Sequence, residues 1–463
     1  MKLCQTKETR MNSKERIRQA LTVATETKVF EMGRGASEMA PQVFRDLFPE
    51  GKAKIVADAN TWAVSGEKVY GMFVASGIPT AKFIIPEREF HAEWKYVELL
   101  DRELDGGWIA VSVGSGVIND LCKLSSHHHR QRYLTLPTAA SVDGYSSFGA
   151  SISYQNSKQT FSCPAPLGIV ADVDVIAAAP KEMTAAGYAD LAAKIPAGGE
   201  WMIADRMGAE PIIPAAWHVL QDVLDDLLSR PEAVAKGEPQ AVADLFEGLT
   251  LSGFAMQAAQ SSRPASCCDH LFSHILDMTH HRFKGRLQSH GFQVAIGTLT
   301  MCAVFDAFLK LDMTRIDVDR CVAAWPSLEQ EQQRALEIFK DFPAPQLGYT
   351  EITKKYAPAE TVRAQLSALK ACWPEFRREL RKQVYSFDKM RGLLKIVGAP
   401  YDPSMIGVDR RMLLEMFPKV QLMRFRFNLL DLAKRGLFYD ELVQDIFAPG
   451  GAWDLSEEVR ISD

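Results

Sequence analysis

The chain has 463 residues, of which 47% are hydrophobic and 24% are charged, which is typical of a soluble globular protein of about two or three domains. The formal net charge is −5 at pH 7 and no long block of like charge occurs, so the charge balance does not predict a nucleic-acid or anionic-membrane partner. Any substrate must therefore be recognised by a local site.

The first residues carry no signal for secretion. Residues 1–18 are polar where a signal peptide needs an apolar core, and no later segment approaches the ~18–20 apolar residues of a membrane span. The eight cysteines form no C-x-x-C pair and lack the density of a disulfide scaffold, so we expect them to be reduced. We therefore predict a cytoplasmic protein without a membrane span.

Short apolar runs predict buried strands in the first part of the chain. The predicted strands are residues 53–58, 81–86, 108–113, 133–136 and 167–171. A segment long enough for a helix separates the first two, which makes a βαβ unit. Parallel α/β architecture is the simplest interpretation of this pattern.

After Pro180 the pattern becomes helical. Apolar residues recur at helical spacing in residues 181–194, 214–229, 240–260 and 294–311, with no convincing strands between them. Two segments rich in Pro and Gly, residues 231–239 and 342–349, are predicted loops. We place a domain boundary near Pro180, which gives an α/β domain over residues 1–180 and an all-helical domain over residues 181–463.

Two loops after predicted strands could bind a polar ligand. G-S-G-V-I-N-D (residues 114–120) opens an apparent helix, where free N–H groups can bind a diphosphate, although a tight βα turn explains it equally well. T-A-A-S-V-D-G-Y-S-S-F-G-A-S (residues 138–151) surrounds one carboxylate, Asp143, with hydroxyls and small side chains. A surface turn is the alternative for this second loop.

A metal site is a third possibility. Asp190 and Lys194 are four residues apart on a predicted helix, and so are His270 and His274, so each pair projects from one helical face. A carboxylate and two imidazoles could bind a divalent ion and leave positions open for substrate. Packed, hydrogen-bonded histidines are the alternative, and we assign no role to His280, His281 or the run at residues 127–129, which we expect in a solvated loop.

Together these segments resemble the glycerol-1-phosphate dehydrogenases, a branch of the iron-containing alcohol dehydrogenase superfamily that is also similar to glycerol dehydrogenase and dehydroquinate synthase. The resemblance runs from about residue 28 to about residue 311. Its most specific part is S-S-R-P-A-S (residues 261–266), followed by D-H-L-F-S-H and then H-G-F-Q-V-A-I-G-T.

The resemblance implies a Rossmann-like dinucleotide-binding domain followed by a helical metal- and substrate-binding domain, with the active site between them. The implied metal ligands are Asp190, His270 and His290, and the implied substrate-binding positions are Asp143 and His274. The implied cofactor-binding residues are Asp58, Gly114, Ser115, Gly116, Val117, Ile118, Thr138, Ala139, Ala140, Ser141 and Ser147.

We accordingly expect a metal-dependent NAD(P)H oxidoreductase that interconverts dihydroxyacetone phosphate and sn-glycerol 1-phosphate and forms a homo-oligomer, in the simplest case a dimer. Asp58 is similar to the family's acidic residue at the adenosine ribose, so NAD should be preferred over NADP. The metal would be zinc, nickel or iron. We infer that Lys194 and Arg263 are cations near the substrate phosphate, with a core-edge salt bridge as the alternative for Lys194.

The sequence also departs from the family pattern. Phe292 stands where many relatives carry a glutamate, so a partner of His290 is expected to be missing. Cys267 and Cys268 replace small residues before the first histidine, and the chain beyond residue 311 gives little recognisable similarity. A lyase like dehydroquinate synthase, a dehydrogenase for another phosphorylated polyol and a non-catalytic descendant remain as alternative functions.

Overall fold

A six-stranded parallel sheet is the centre of the first part of the chain. The computed structural model describes residues 12–87, 90–154 and 157–457. Its strands up to residue 172 are β1 (Val29–Gly33), β2 (Lys52–Asp58), β3 (Thr80–Ile85), β4 (Trp108–Gly114), β5 (Leu134–Pro137), β6 (Ala150–Tyr154), β7 (Ser157–Phe161) and β8 (Gly168–Asp172). The sheet has the order β1-β8-β5-β4-β2-β3, and β6 and β7 form a separate antiparallel hairpin.

Helices connect the strands and form most of the remaining chain. The helices that precede the last sheet strand are α1 (Ser13–Val23), α2 (Ala40–Leu47), α3 (Ala59–Thr61), α4 (Glu67–Ala75), α5 (Trp94–Leu104) and α6 (Gly116–His128). The later helices are α7 (Val173–Ala177), α8 (Lys181–Ala192), α9 (Lys194–Arg206), α10 (Pro214–Leu220), α11 (Leu224–Leu227), α12 (Pro231–Lys236), α13 (Pro239–Ala259), α14 (Cys268–Met278), α15 (His290–Phe308), α16 (Val318–Ala323), α17 (Leu328–Phe339), α18 (Leu347–Lys355), α19 (Ala359–Gln383), α20 (Phe387–Val397), α21 (Arg410–Leu422), α22 (Leu429–Arg435) and α23 (Tyr439–Phe447).

The predicted α/β architecture followed by a helical region is confirmed, and the five predicted strands correspond to β2, β3, β4, β5 and β8. Strand β1, an edge strand that pairs only with β8 in the described structure, was not predicted. A short hairpin in the helical region, formed by β9 (Arg282–Phe283) and β10 (Arg286–Leu287), was not predicted either. The central residues of this hairpin, Lys284 and Gly285, both have positive φ, as a type I′ turn requires.

Two predicted loops were wrong. Residues 231–239 contain α12, because a proline is compatible with the first turn of a helix and Gly237, at φ 75°, ends it. The histidine run at residues 127–129 was expected in a loop, yet His127 and His128 form the last turn of α6. The predicted helix over residues 181–194 is also divided between α8 and α9.

The first helix packs against the helical region and not against the sheet alone. Helix α1 contacts α13, and the guanidinium of Arg16 lies 2.6 Å from the carboxylate of Glu247. The side chain of Gln257, also on α13, accepts hydrogen bonds from the backbone of Glu26 and Thr27 just before β1. The described chain therefore starts on the helical region before it enters the sheet.

Helix α15 is the most apolar of the long helices. By length and composition it is the single candidate for a membrane span among the described residues, but 89% of its most apolar stretch is buried in the protein. Its neighbours include α8 and α14, which pack closely against it. These contacts are those of a central core helix, and they place the N-terminus of α15 beside two other helices that carry polar side chains.

Candidate active site

The turn between β4 and α6 is tight and leads directly into the helix. Gly114 ends the strand, and a Cβ at this position would lie 2.6 Å from the side chain of Ile118, so a larger residue would push the turn apart. Ser115 is the N-cap residue and Gly116 begins the helix, which leaves free N–H groups at a helix N-terminus. The side chain of Ile118 is fully buried under this turn.

The loop after β5 is held by a buried lysine. The ammonium of Lys123 donates to the carbonyl oxygens of Gly144 and Gly149, each at 2.9 Å, and the amide of Asn119 also donates to Gly144. The predicted cofactor residues in this loop are mostly buried side chains: Thr138, Ala139, Ala140, Ser141 and Ser147. The loop is thus a fixed element of the structure and not the surface turn that was its alternative interpretation.

A cavity of about 720 Å³ lies at the carboxyl ends of four sheet strands. The side facing the sheet is formed by residues that follow β2, β3, β4 and β5: Asp58, Asn60, Thr61, Val64, Phe90, His91, Ser115, Val117 and Thr138. The other side is formed by the helical region and the β9–β10 hairpin: Val175, Ala178, Ala179, Pro180, Met183, Arg282, Gly285, Arg286 and Leu287. Parallel α/β sheets bind nucleotides in this kind of crevice.

Asp58 lies at the end of β2 and lines this cavity. Its Oδ1 accepts hydrogen bonds from the backbone of Asn60 at 2.7 Å and Thr61 at 3.0 Å, so it caps the following helix. Its Oδ2 makes no hydrogen bond with any described residue. One carboxylate oxygen therefore fixes the loop, and the other can accept a ligand hydroxyl.

Asp190, His270 and His290 converge, although they belong to three different helices. One potential ligand atom from each residue lies within 4.8 Å of the others, and both Asp190 and His270 are buried. The Nε2 of His270 lies 3.5 Å from Asp190 Oδ1, and the two imidazole centroids are 5.3 Å apart. The structure thus brings together the three residues that the sequence analysis selected as metal ligands.

Close helix packing makes this convergence possible. A Cβ at Gly291 would overlap the backbone of Ala186 on α8, and a Cβ at Gly297 would overlap the backbone of Asp269 on α14. Both glycines lie on α15, so the absence of a side chain lets α15 approach α8 on one side and α14 on the other. These contacts fix the three helices that carry the candidate ligands.

Each histidine has a partner that fixes its ring. His270 Nδ1 hydrogen-bonds the carboxylate of Asp269, which directs Nε2 toward Asp190. His290 Nδ1 lies 3.2 Å from the hydroxyl of Ser273, which in turn donates to the side-chain oxygen of Gln293 at 2.7 Å. The partner of His290 that was expected to be missing at Phe292 is thus provided by Ser273, which the sequence analysis overlooked.

Asp190 is surrounded by donors. Its Oδ1 lies 2.6 Å from Lys194 Nζ, and its Oδ2 accepts the backbone N–H of Asp143 at 2.9 Å. Burial would raise the pKa of Asp190, but Lys194 and then His270 outweigh it and lower that pKa well below its usual range. A carboxylate has about four lone-pair directions, so these contacts leave room for a cation, and the donor set fits a divalent metal.

Lys194 is fully buried and bridges two carboxylates. Its Nζ lies 2.9 Å from Asp143 Oδ2 as well as 2.6 Å from Asp190 Oδ1. Burial alone would lower the pKa of Lys194, but Asp143 and Asp190 together raise it above its ordinary value. Ser252 completes the group by donating to Asp143 at 2.8 Å, and His274 lies half-buried one turn after His270 on α14.

Two residues of this region, Arg263 and Asp269, make contacts that were not predicted. Arg263, expected near the substrate phosphate, donates to the carbonyl oxygens of Glu200 and Phe427 and is almost fully buried. Asp269 precedes the first histidine directly, and this adjacency was the signal in the sequence that could have identified it as the partner of His270.

The fold and site define the class of the protein. Residues 31–180 match the family model of the iron-containing alcohol dehydrogenases. The structure is similar to that of a probable glycerol dehydrogenase from Sinorhizobium meliloti, with a TM-score of 0.55 and 16% identity over 91% of this chain and 98% of that one. The chain therefore has the iron-containing alcohol dehydrogenase fold.

Two relatives identify the family within the iron-containing alcohol dehydrogenases to which the chain belongs. A protein of Halalkalibacterium halodurans named glycerol-1-phosphate dehydrogenase (NAD(P)+) is 31% identical over 284 residues, which cover 59% of this chain and 70% of that protein. A protein of the same name from Geobacillus stearothermophilus is 25% identical over 394 residues, or 84% of this chain and 88% of that protein. The chain belongs to the glycerol-1-phosphate dehydrogenase family. Because the second match is 394 residues long, the similarity extends beyond residue 311, contrary to expectation.

Proposed function

We propose that this protein is a metal-dependent NAD(P)H oxidoreductase that interconverts dihydroxyacetone phosphate and sn-glycerol 1-phosphate. The observation that carries this proposal is the convergence of Asp190, His270 and His290 in a chain of the glycerol-1-phosphate dehydrogenase family. Fold similarity alone would not specify the reaction, because the same architecture can host different chemistry.

One carboxylate and two imidazoles suit a divalent ion such as zinc, nickel or iron, and the choice among these depends on geometry and supply. When bound, the ion polarises the substrate oxygen and the nicotinamide cofactor exchanges the hydride. The protein contributes a fixed donor set, because Asp269 and Ser273 hold the two imidazole rings in position. The backbone of Asp143 and the ammonium of Lys194 hold the carboxylate of Asp190.

The buried ion pairs suggest a different role for Lys194 from the phosphate contact that motif position suggested. Its charge is compensated by Asp143 and Asp190, so we assign it the positioning of these carboxylates. Asp143 remains the candidate for binding a substrate hydroxyl, because its carboxylate accepts from Ser252 and Lys194 but is still partly exposed. His274 is the candidate for contacting the substrate or relaying a proton.

The cavity at the carboxyl ends of the strands is our proposed cofactor site. Ser115, Val117 and Thr138 line it, and the N-terminus of α6 opens beside them, which suits a diphosphate. Asp58 Oδ2 could accept a hydrogen bond from a ribose hydroxyl, whereas a 2′-phosphate would be repelled by this carboxylate. We therefore propose that NAD is preferred over NADP.

Asp58→Asn tests the cofactor preference. The amide oxygen keeps the helix cap while the charge is removed, so the ratio of kcat/KM for NADPH to that for NADH should rise. Asp317→Asn is the control, because Asp317 also caps a helix. An enzyme that already prefers NADPH, or an unchanged ratio in Asp58→Asn, would contradict the proposed role of Asp58.

The reaction is tested by NADH depletion with metal-reconstituted protein. Dihydroxyacetone phosphate should be reduced with a higher kcat/KM than dihydroxyacetone, glycolaldehyde or other phosphosugars, and the product should be sn-glycerol 1-phosphate. Turnover without net NADH oxidation would instead indicate a lyase that reoxidises its own hydride. No bound metal after purification, together with no turnover after addition of Zn²⁺, Ni²⁺ or Fe²⁺, would indicate a non-catalytic descendant.

We also propose a homodimer in the cytoplasm and a domain boundary near Pro180. The small-molecule substrate needs no macromolecular partner, and light scattering on the purified protein measures the oligomeric state directly.

Limited proteolysis tests the domain boundary near Pro180, since α7 ends before this residue and α8 begins just after it. Because α1 contacts α13, we expect the two fragments to stay associated after cleavage.

A further inference from the structure

Three arginines converge next to the S-S-R-P-A-S segment. Arg263 belongs to this segment, and Arg424 and Arg426 lie in the connection between α21 and α22. Arg426 donates to the hydroxyls of Ser261 and Ser262 at 3.0 and 3.3 Å and to the carbonyl oxygen of Ser266 at 2.9 Å. The S-S-R-P-A-S segment, which precedes the candidate metal ligand His270, therefore contacts the connection between α21 and α22. Together they form a cluster of positive charge.

Negative charge in this cluster is scarce. Glu210 is the one carboxylate within ion-pair distance of these arginines in the described structure, at 3.5 Å from Arg263 Nε and 3.9 Å from Arg426 Nε. Neither contact has hydrogen-bond geometry, and both Nε atoms are buried without a hydrogen-bond partner. Both side chains are more than nine-tenths buried, so water does not replace the missing partners.

Arg424 is the least compensated of the three. It makes no hydrogen bond or ion pair with any described residue, and its Nη1 is buried. Burial lowers the pKa of Arg424, and burial together with the two neighbouring arginines lowers the pKa of Arg426 to about 10. A buried, unpaired guanidinium is costly, so a cluster of three is expected only where an anion balances them.

We propose that Arg424, together with the hydroxyls of Ser261 and Ser262 and the adjacent positive charges of Arg263 and Arg426, forms a binding site for the phosphate group of a small molecule. Guanidinium groups bind phosphate oxygens through paired, charge-assisted hydrogen bonds, and serine hydroxyls add neutral donors. Arg424 is half-buried and its neighbour Phe425 is exposed, so Arg424 is the member of the cluster that can be reached from solvent.

The site is connected to the candidate metal ligands through a short series of contacts. Arg263 Nη1 lies 3.3 Å from Cys267 Sγ, and the backbone of Cys267 donates to Asp269, the partner of His270. The phosphate could therefore belong to the substrate or to a separate ligand that acts on the active site. The shared chemistry is the phosphate monoester, and the inference does not depend on which reaction the protein catalyses.

Inorganic phosphate is the probe for this site. Isothermal titration calorimetry is carried out on metal-reconstituted protein with saturating NADH at constant ionic strength, so that cofactor phosphates occupy their own site. Wild type should bind phosphate, and Arg424→Gln should bind it at least ~10-fold more weakly, as expected for a lost charge-assisted contact. Arg378→Gln, an exposed position on α19, removes the same charge and should bind like wild type.

Stability measurements separate a binding role from a structural one. An arginine that held the fold together would lose stability on substitution, whereas removal of the uncompensated Arg424 should leave the urea midpoint unchanged or raise it. Arg424→Lys keeps the charge but loses the paired geometry, so its phosphate affinity should fall between those of wild type and Arg424→Gln. No phosphate binding in wild type, or equal binding in Arg424→Gln, would overturn the proposal.

Kinetics then identify which molecule carries the phosphate. A KM that rises in Arg424→Gln for dihydroxyacetone phosphate but not for dihydroxyacetone would assign the site to the substrate. An unchanged KM combined with lost binding of inorganic phosphate would assign it to a separate phosphorylated ligand. Because calorimetry needs no turnover, failure of the proposed reaction would leave the phosphate measurement intact.

Discussion

Lys194 Nζ lies 2.6 Å from Asp190 Oδ1, and both side chains are completely buried. The two residues are one turn apart across the junction of α8 and α9, so the backbone fixes their separation. Asp143 adds a second carboxylate to the same ammonium group. A buried group of this kind contributes little net stability, but it is strongly destabilised when one member is removed.

Lys194→Met should therefore destabilise the protein by about 3–5 kcal/mol, because the buried carboxylate of Asp190 and the partly exposed carboxylate of Asp143 would lose their cation. Urea denaturation of metal-free protein measures the free energy of unfolding. Lys54→Met is the control, since the ion pair of Lys54 with the partly exposed Glu103 should contribute at most about 1 kcal/mol. If the two variants lost similar amounts of unfolding free energy, the buried group of Lys194, Asp190 and Asp143 would contribute no more to stability than a surface ion pair.

Asp269→Asn should weaken metal binding by about 10–100-fold, the usual cost of removing the partner that orients a metal-binding histidine. Competition with a chelator measures the affinity for Zn²⁺. Asp277→Asn lies about two turns further along α14 and should bind zinc like wild type. If Asp269→Asn kept the wild-type affinity, the hydrogen bond to His270 would not matter for the metal.

Gly187→Ala should disturb the loop that follows β5. A Cβ at Gly187 would overlap the carbonyl oxygen of Ala140, so the loop or α8 must shift. We expect a loss of about 1–3 kcal/mol of stability and weaker NADH binding, measured by denaturation and fluorescence titration. Gly71→Ala, in a helix with open space around the new Cβ, should be neutral or slightly stabilising. If Gly187→Ala bound NADH with wild-type affinity, the loop that follows β5 would have no role in cofactor binding.

Glu200 should make stability depend on pH. Burial, followed by the nearby charge of Asp269, raises the pKa of Glu200, which accepts hydrogen bonds from the backbone of Cys268 and Leu429. A carboxyl whose folded pKa is raised stabilises the protein fully below its unfolded pKa of about 4.3, and this contribution is lost as pH rises through the folded value.

The free energy of unfolding of wild type, relative to Glu200→Gln, should thus increase as pH is lowered from 8 to 5. This difference in unfolding free energy should change by at most about 1.4 kcal/mol per pH unit, because one proton is involved. Guanidinium denaturation of both proteins across this range measures the difference. A difference that stays constant with pH would mean that Glu200 titrates as it does in the unfolded chain.

Five of the six sheet strands and the helices α13 and α15 could be predicted because each carries a recognisable apolar pattern. The three candidate ligands could be selected only because neighbouring motifs distinguished His270 and His290 from the other histidines. Spacing could not reveal Ser273 as the partner of His290, since the two residues meet only when α14 and α15 pack together. Strands β9 and β10 have two residues each, too few for a recognisable pattern, and a glutamate interrupts the apolar run of edge strand β1.

The arginine cluster lay outside what the sequence could predict. Arg263 and Arg426 are more than 160 positions apart, and no periodic pattern links the S-S-R-P-A-S segment to the chain after α21. Only the folded structure shows that Arg263 directs its guanidinium to the carbonyl oxygens of Glu200 and Phe427 and that Arg424 has no ion-pair partner among the described residues. Contacts of this range depend on tertiary packing.

The position of β1 beside β8 has a mechanical consequence. The chain passes from the helical region into the sheet at β1, and it returns to that region after β8. Both connections between the sheet and the helical region therefore lie at the same edge of the sheet. If the sheet rotates relative to the helical region, the rotation axis should lie near β1 and β8. Strand β3, at the opposite edge, would then undergo the largest displacement.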